Sequence, residues 1–256
     1  MTKRKMRHAA GGWVNGAHSI FDHVLFALLL AVPLIEWRWN WPRYLRKLAA
    51  GVPGVRLRHY RNLALGEWLP AICLLVVWST QKRPWSNLWL TDPSPWRTAI
   101  GLVCATAIAA LLIAQRFAIL NRPQSYEKVR AALKYAEPLL PHTPAERKLF
   151  WLVSLTAGVC EEIFYRGFLT WYLAVWIGLV PAVFVSAIIF GFGHIYLGLA
   201  HVPRTALVGL VMAGVALGSA SLWPAMLLHA AIDWNSGEMG FRILGRTTGA
   251  NSSGES

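Results

Sequence analysis

Long apolar runs constrain the fold of this chain more than any other feature. The clearest are Ile20–Ile35, Leu69–Trp78, Ala99–Ala114, Lys148–Cys160, Leu173–Ile195, Ala206–Leu222 and Trp223–Ile232. Several reach or approach the roughly 20 residues that a helix needs to cross a bilayer. They are apolar on all sides, which a soluble amphipathic bundle would not be. Only 14% of residues are charged, against about 25% in an ordinary soluble domain, and mean hydropathy is +0.42. The pattern predicts an all-α fold: a polytopic transmembrane helical bundle of about 7–8 spans. The eighth span arises if Leu169–Leu179 forms its own short helix before Pro181. A β-barrel would show alternating segments of about ten residues, and none occur. The first run leads into Glu36-Trp37-Arg38-Trp39-Asn40-Trp41 rather than a small-residue cleavage site. It is therefore expected to remain as the first span.

The net charge of +13 reads as membrane topology rather than nucleic-acid binding. Arg38, Arg43, Arg46, Lys47, Arg56, Arg58 and Arg61 fill a first basic loop, and residues 116–148 hold a second. These loops, with Arg204, Arg242 and Arg246, are expected on the cytoplasmic side. With seven spans, Lys3, Arg4, Lys5 and Arg7 would then lie outside, unless a half-span or re-entrant helix intervenes. Within the second loop, Ser125–Ala136 has a helical pattern suited to the membrane surface. Cys73, Cys104 and Cys160 lack metal-ligand spacing and read as apolar packing residues. The chain has 14 Trp, many at predicted span ends, as an interfacial aromatic belt would place them. Residues 1–145 read as a transmembrane scaffold with cytoplasmic loops, 146–240 as the functional core, and 241–256 as a disordered tail. The expected location is a membrane, a bacterial inner membrane being the best fit.

The ionisable residues at membrane depth concentrate in the second half. Glu161 and Glu162 are adjacent in an apolar stretch, where a charge costs at least roughly 2.5–3.5 kcal/mol. Glu162 and Arg166, four apart, share a helix face and can pair. Glu161 points about 100° away and is left without that partner. Phe190-Gly191-Phe192-Gly193-His194 brings an imidazole beside two glycines that allow close helix approach. His229 and Asp233, four apart, can hydrogen-bond and so orient the ring. Between them, Gly209, Ala213, Gly214, Ala216 and Gly218 form a small-residue helix suited to tight packing. His201, Ser219 and Ser221 read as bystanders.

A carboxylate and an imidazole from neighbouring helices can hold and deprotonate one water. A second imidazole can donate to an oxyanion. Together they suit amide hydrolysis. His-Glu-x-x-His, Gly-x-Gly-Asp and Gly-x-Ser-x-Gly are all absent, which removes the usual zinc, aspartyl and serine signatures.

In order and spacing, Glu161-Glu162-x-x-x-Arg166, Phe190-x-x-x-His194 and His229-x-x-x-Asp233 resemble the motifs of the CPBP intramembrane proteases. That family includes the type II CAAX prenyl endopeptidase and bacterial bacteriocin-processing or immunity proteins. The resemblance spans about Phe150–Asp233. It implies a glutamic-type endopeptidase in which Glu161 and His194 activate water, His229 supports the oxyanion, and Glu162 and Arg166 form an accompanying ion pair. The eukaryotic prenyl proteases carry Asn where this chain has Asp233, so Asp233 is expected to orient His229 or to act protonated. The implied substrate is a membrane-associated peptide or protein, with the lipid bilayer as surroundings and no cofactor. Three other readings stay open: a non-catalytic immunity or binding protein, a zinc peptidase with Glu161, His194 and His229 as ligands, and a proton-coupled transporter.

Overall fold

The computed structural model describes residues 18–252, apart from the side chains of 123 and 245–252. Every described element is helical. The charge cluster at Lys3–Arg7, and with it the expectation for the N-terminus, lies outside the described residues.

Helix α1 (Ile20–Ile35) opens on a capping box between Ser19 and Asp22, which satisfies two orphan N–H groups of the first turn. Asp22 is fully buried and is held by a two-pronged contact with Arg83, at 2.8 and 2.6 Å. A π-helical turn (Glu36–Asn40) continues α1 into α2 (Trp41–Ala49). Arg38, Arg43, Arg46 and Lys47 therefore lie on helix rather than in a loop, and Arg56, Arg58 and Arg61 open the next helix. That helix, α3 (Val55–Thr80), starts after Gly54, whose φ of +67° suits glycine. Helix α4 (Pro95–Leu120) starts with proline at its first position, where the missing N–H costs nothing. The expected surface segment forms α5 (Tyr126–Leu133).

The second half begins with α6 (Pro144–Glu161), again on a capping box, between Thr143 and Glu146. It runs without a break through a π-helical segment (Glu162–Leu169) into α7 (Thr170–Ile177). The chain turns at Gly178, with φ +81°, and α8 (Leu179–Gly193) follows. The apolar run Leu173–Ile195 is thus two helices, broken at Gly178. Pro181 does not mark the break, because it sits in the first turn of α8, where no intrahelical N–H bond is lost. Helix α9 (Val202–Ser219) ends at Ala220, and α10 (Trp223–Ser252) closes the chain. α10 continues as helix well past residue 240, where a disordered tail was expected. Residues 253–256 of that tail lie outside the described residues.

Among the described residues, four helical stretches are long and apolar enough to cross a membrane: Ile20–Ala49, Val55–Thr80, Pro95–Leu120 and Leu199–Ser219. Leu65, Leu69, Ile72 and Val76 on α3 and Val103 and Leu111 on α4 face outward. Exposed apolar surface on this scale belongs against lipid, and the protein is an integral membrane protein. The interior is built on Trp78, Phe168, Leu169 and Phe190. Helix α6 packs against α10 and α3, α9 against α8, and α10 against α4. The three helices that carry Glu161, His194 and His229 are thereby held in one frame.

Candidate active site

Glu161 is the last residue of α6 and Glu162 the first of the π segment. The change of helix type at this point matters, because π turns leave main-chain groups to be satisfied by side chains and recur at functional sites. The Tyr165 carbonyl accepts from Thr170 Oγ1 at 2.8 Å and from Ser186 Oγ at 2.6 Å. Ser186 lies on α8, so the bond ties the π segment to the helix that ends at His194.

Glu162 and Arg166 form the expected ion pair, 3.0 Å apart and almost fully buried. Arg166 also donates to the Gly209 carbonyl at 3.3 Å and lies over the Phe190 ring at 4.1 Å. A buried carboxylate is tolerated in such surroundings because it is paired and hydrogen-bonded.

Glu162 does more than hold Arg166. His229 Nδ1 lies 2.8 Å from Glu162 Oε1. With Glu162 ionised against Arg166, Nδ1 carries a proton and donates it. This corrects the expected orienter of His229. The ring's nearest approach to Asp233 is 3.7 Å, from Nε2, which is too long for a hydrogen bond. Sharing a helix face is not sufficient here: Glu162 already holds the ring by its other nitrogen. Nε2 then faces two carboxylates, Asp233 and Glu161, the latter at 3.8 Å. Glu161 keeps some exposure, and its Oε2 is buried without a hydrogen-bond partner.

His194 caps the end of α8, with Nδ1 3.1 Å from the Phe190 carbonyl. A carbonyl only accepts, so Nδ1 carries the proton and Nε2 is left as an acceptor. No hydrogen bond or ion pair joins His194 and Glu161 among the described residues. His194 instead lies in electrostatic reach of Asp233. Its ring and that of His229 approach Phe190 from two sides, at centroid distances of 4.8 and 6.1 Å.

Close helix approach sets this geometry. A Cβ on Gly158 would stand 2.7 Å from the backbone nitrogen of Ala230. Only glycine lets α6 and α10 meet so closely, three residues before Glu161 and one after His229. Gly191 does the same for α8 and α9, since its Cβ would stand 2.6 Å from the Val202 carbonyl oxygen. Gly214 and Gly218 have nothing within 4 Å, so those two small residues serve no tight contact. The Ser219 hydroxyl is committed to local carbonyls, in keeping with a bystander.

One site residue escaped the sequence reading. Glu67 on α3 buries its Oε2 without a hydrogen-bond partner among the described residues, and its carboxyl lies in electrostatic reach of Glu161, Asp233 and His229. The adjacent Trp68 donates to Thr156 Oγ1 on α6 at 2.9 Å, which fixes α3 against the site. Hydropathy alone puts Glu67 at a span end, because the apolar run starts at Leu69. The helix in fact begins at Val55, so Glu67 falls near its middle. A lone acid flanked by the lipid-facing Leu65 and Leu69 was the available signal.

Among the described residues, no three His, Cys, Asp or Glu side chains gather in an arrangement that would hold a metal ion. The candidate zinc set of Glu161, His194 and His229 is not gathered into such an arrangement.

Residues 144–235 match the family model described as Rce1-like, type II CAAX prenyl endopeptidase Rce1-like. The match starts at the proline that opens α6 and ends two residues beyond Asp233. It takes in Glu161, Glu162, Arg166, His194, His229 and Asp233, but not Glu67. No curated protein and no solved structure matches the chain. Over residues 144–235, the region that carries all three motifs, the chain is similar to the type II CAAX prenyl endopeptidase family.

Proposed function

We propose that this protein is an intramembrane endopeptidase of the glutamic type, hydrolysing a peptide bond in a membrane-associated peptide or protein. The observation that carries the reading is the anchoring of His229. Its Nδ1 is held by Glu162 at 2.8 Å, while its Nε2 is turned toward Glu161 and Asp233. A structural ion pair alone would need no imidazole placed between three carboxylates.

In this mechanism Glu161 takes one proton from a water. His194 Nε2 accepts the water's other hydrogen and so orients it. The water oxygen adds to the scissile carbonyl carbon. His229, in its imidazolium form, donates from Nε2 to the developing oxyanion while Nδ1 stays on Glu162. Asp233 supports that charge from the far side. The carbon–nitrogen bond then breaks, and the leaving amine takes the proton from Glu161. General-base assistance of this kind supplies about 10²–10⁴-fold, and one oxyanion donor about 10²–10³-fold. No zinc ion or other cofactor is required.

Continuity of α6 through α7, together with α8 and α10, supports a total of seven spans, with the basic segments on the cytoplasmic face of a bacterial plasma membrane. The test is cleavage of a membrane-embedded reporter co-expressed with the protein. Glu161→Ala and His194→Ala are each expected to eliminate cleavage while the protein still purifies as a folded species. Retained cleavage in either variant rules the mechanism out.

A further inference from the structure

A lipid-facing groove of about 230 Å³ runs between α6 and α10. Trp151, Ser154 and Leu155 line it from α6, and Ala230, Ala231 and Trp234 from α10. The two alanines make the concavity. Each of its two tryptophans carries a guanidinium: Arg147 lies 5.1 Å from the Trp151 ring centroid, and Arg116 lies 4.7 Å from that of Trp234. Arg116 falls in the last turns of α4 and Arg147 in the first turn of α6. Both therefore sit where a span meets the headgroup layer, the usual level for tryptophan and arginine anchors.

The charge at this end of the groove is not balanced locally. Glu238, almost fully buried, takes Arg147 Nε at 2.6 Å and Trp151 Nε1 at 2.9 Å, and has Arg242 Nε at 3.8 Å. Arg116 feels the same group of charges. Three guanidiniums against one carboxylate leave two positive charges in excess. Arg116 is only 4% exposed, and its Nε and Nη1 have no hydrogen-bond acceptor among the described residues. A guanidinium fork matches the oxygens of a phosphate, and basic pockets between spans are suited to anionic headgroups.

We propose that this groove binds one anionic phospholipid, its phosphate on Arg116 beside Arg147 and Arg242 and an acyl chain lying along Leu155 and Ala231. The groove and the cation cluster supply the two halves of an amphiphile's chemistry, which a free anion would not use. The site is separate from the carboxylate–imidazole cluster and does not depend on the reaction proposed for it.

The experiment is native mass spectrometry of the full chain released from detergent. Phosphatidylglycerol and phosphatidylcholine with identical acyl chains are offered in equal amounts. One bound phosphatidylglycerol is expected, preferred by about 25-fold, since each excess cation contributes about fivefold. Arg116→Gln should cut that preference about fivefold, and Arg116→Lys should largely keep it. Leu155→Trp, at an exposed position, should fill the groove and lower retention of the lipid. Should Arg116→Gln fail to purify, Arg242→Gln at the exposed edge of the cluster should reduce the preference in the same direction. Equal retention of the two lipids, an undiminished preference in the arginine-to-glutamine variant, or displacement of the lipid by millimolar inorganic phosphate would each overturn the assignment.

Discussion

Glu162 makes two separable contributions, and one pair of variants can separate them. Glu162→Gln removes the charge that balances Arg166 and weakens the grip on His229 Nδ1. Arg166 is then left almost fully buried with a 3.3 Å bond to the Gly209 carbonyl and the Phe190 face at 4.1 Å. Removing one partner of a buried pair typically costs about 3–5 kcal/mol. The ring contact, worth up to about 2 kcal/mol when desolvated, persists and does not replace the lost pair. A fall of about 3–5 kcal/mol in stability is therefore expected for Glu162→Gln. The double variant Glu162→Leu with Arg166→Met removes both charges and should recover most of that loss, because apolar replacement of a buried pair is often neutral or better. Activity should not recover. Without the Glu162 carboxylate, Nδ1 loses its charged acceptor, and replacing the carboxylate that orients a catalytic histidine costs up to about 10⁴-fold in the Ser-His-Asp enzymes. We expect a loss of about 10²–10⁴-fold in both variants. Thermal unfolding in detergent, followed by size exclusion, reads the stability, and reporter cleavage reads the activity. Cleavage restored along with stability in the double variant would refute the orienting role and leave Glu162 as a purely structural partner of Arg166.

Two further expectations concern residues behind the site. Gly158→Ala places a Cβ 2.7 Å from the Ala230 backbone; the helix pair must part, at about 1–3 kcal/mol, with cleavage falling more than substrate binding as Glu161 and His229 separate. Glu67→Gln keeps shape and replaces a buried carboxyl in electrostatic reach of Glu161, Asp233 and His229 by a group that cannot exchange a proton; a lower kcat with unchanged KM and stability is expected, and an unchanged kcat would make Glu67 a bystander.

What the sequence reveals, and what it hides, follows the range of each interaction. Ile20–Ile35 is helical as its hydropathy predicts, although the helix runs on to Ala49, because one helix against lipid needs only its own residues. The Glu162–Arg166 pair is legible because i,i+4 neighbours on a helix must meet. The same rule misleads for His229 and Asp233: the spacing is right, but Glu162, 67 residues away, holds the ring. Tertiary contacts of that reach leave no periodic trace. The π segment is hidden for the same reason, since the side chains that satisfy the Tyr165 carbonyl include Ser186 from another helix. The break at Gly178 was visible as a glycine between apolar residues, yet Pro181 drew the boundary because proline's tolerance in a first turn is easily overlooked. Glu67 stayed hidden because the apolar run was taken for the whole helix, while α3 starts 14 residues before Leu69.

The adjacency of Glu161 and Glu162 acquires its meaning from the change in helix type between them. Glu162 enters the π segment and turns inward, where Arg166 and His229 fill its Oε1. Glu161 ends the α-helix and keeps some exposure, with His229 Nε2 no nearer than 3.8 Å, although each carboxylate has one buried oxygen without a hydrogen-bond partner. Two carboxylates with unequal surroundings are the usual basis of different protonation roles. Here the inequality is built by the main chain, since the widened turn is secured by Thr170 within its own helix and by Ser186 on the helix that ends at His194. The same two hydroxyls therefore set the inward turn of Glu162 and tie it to the element that presents the second imidazole. A chain that used both glutamates only as structural ion pairs would have no need to bind the π segment to α8, or to bring a second helix to Glu161 through the glycine contact at Gly158.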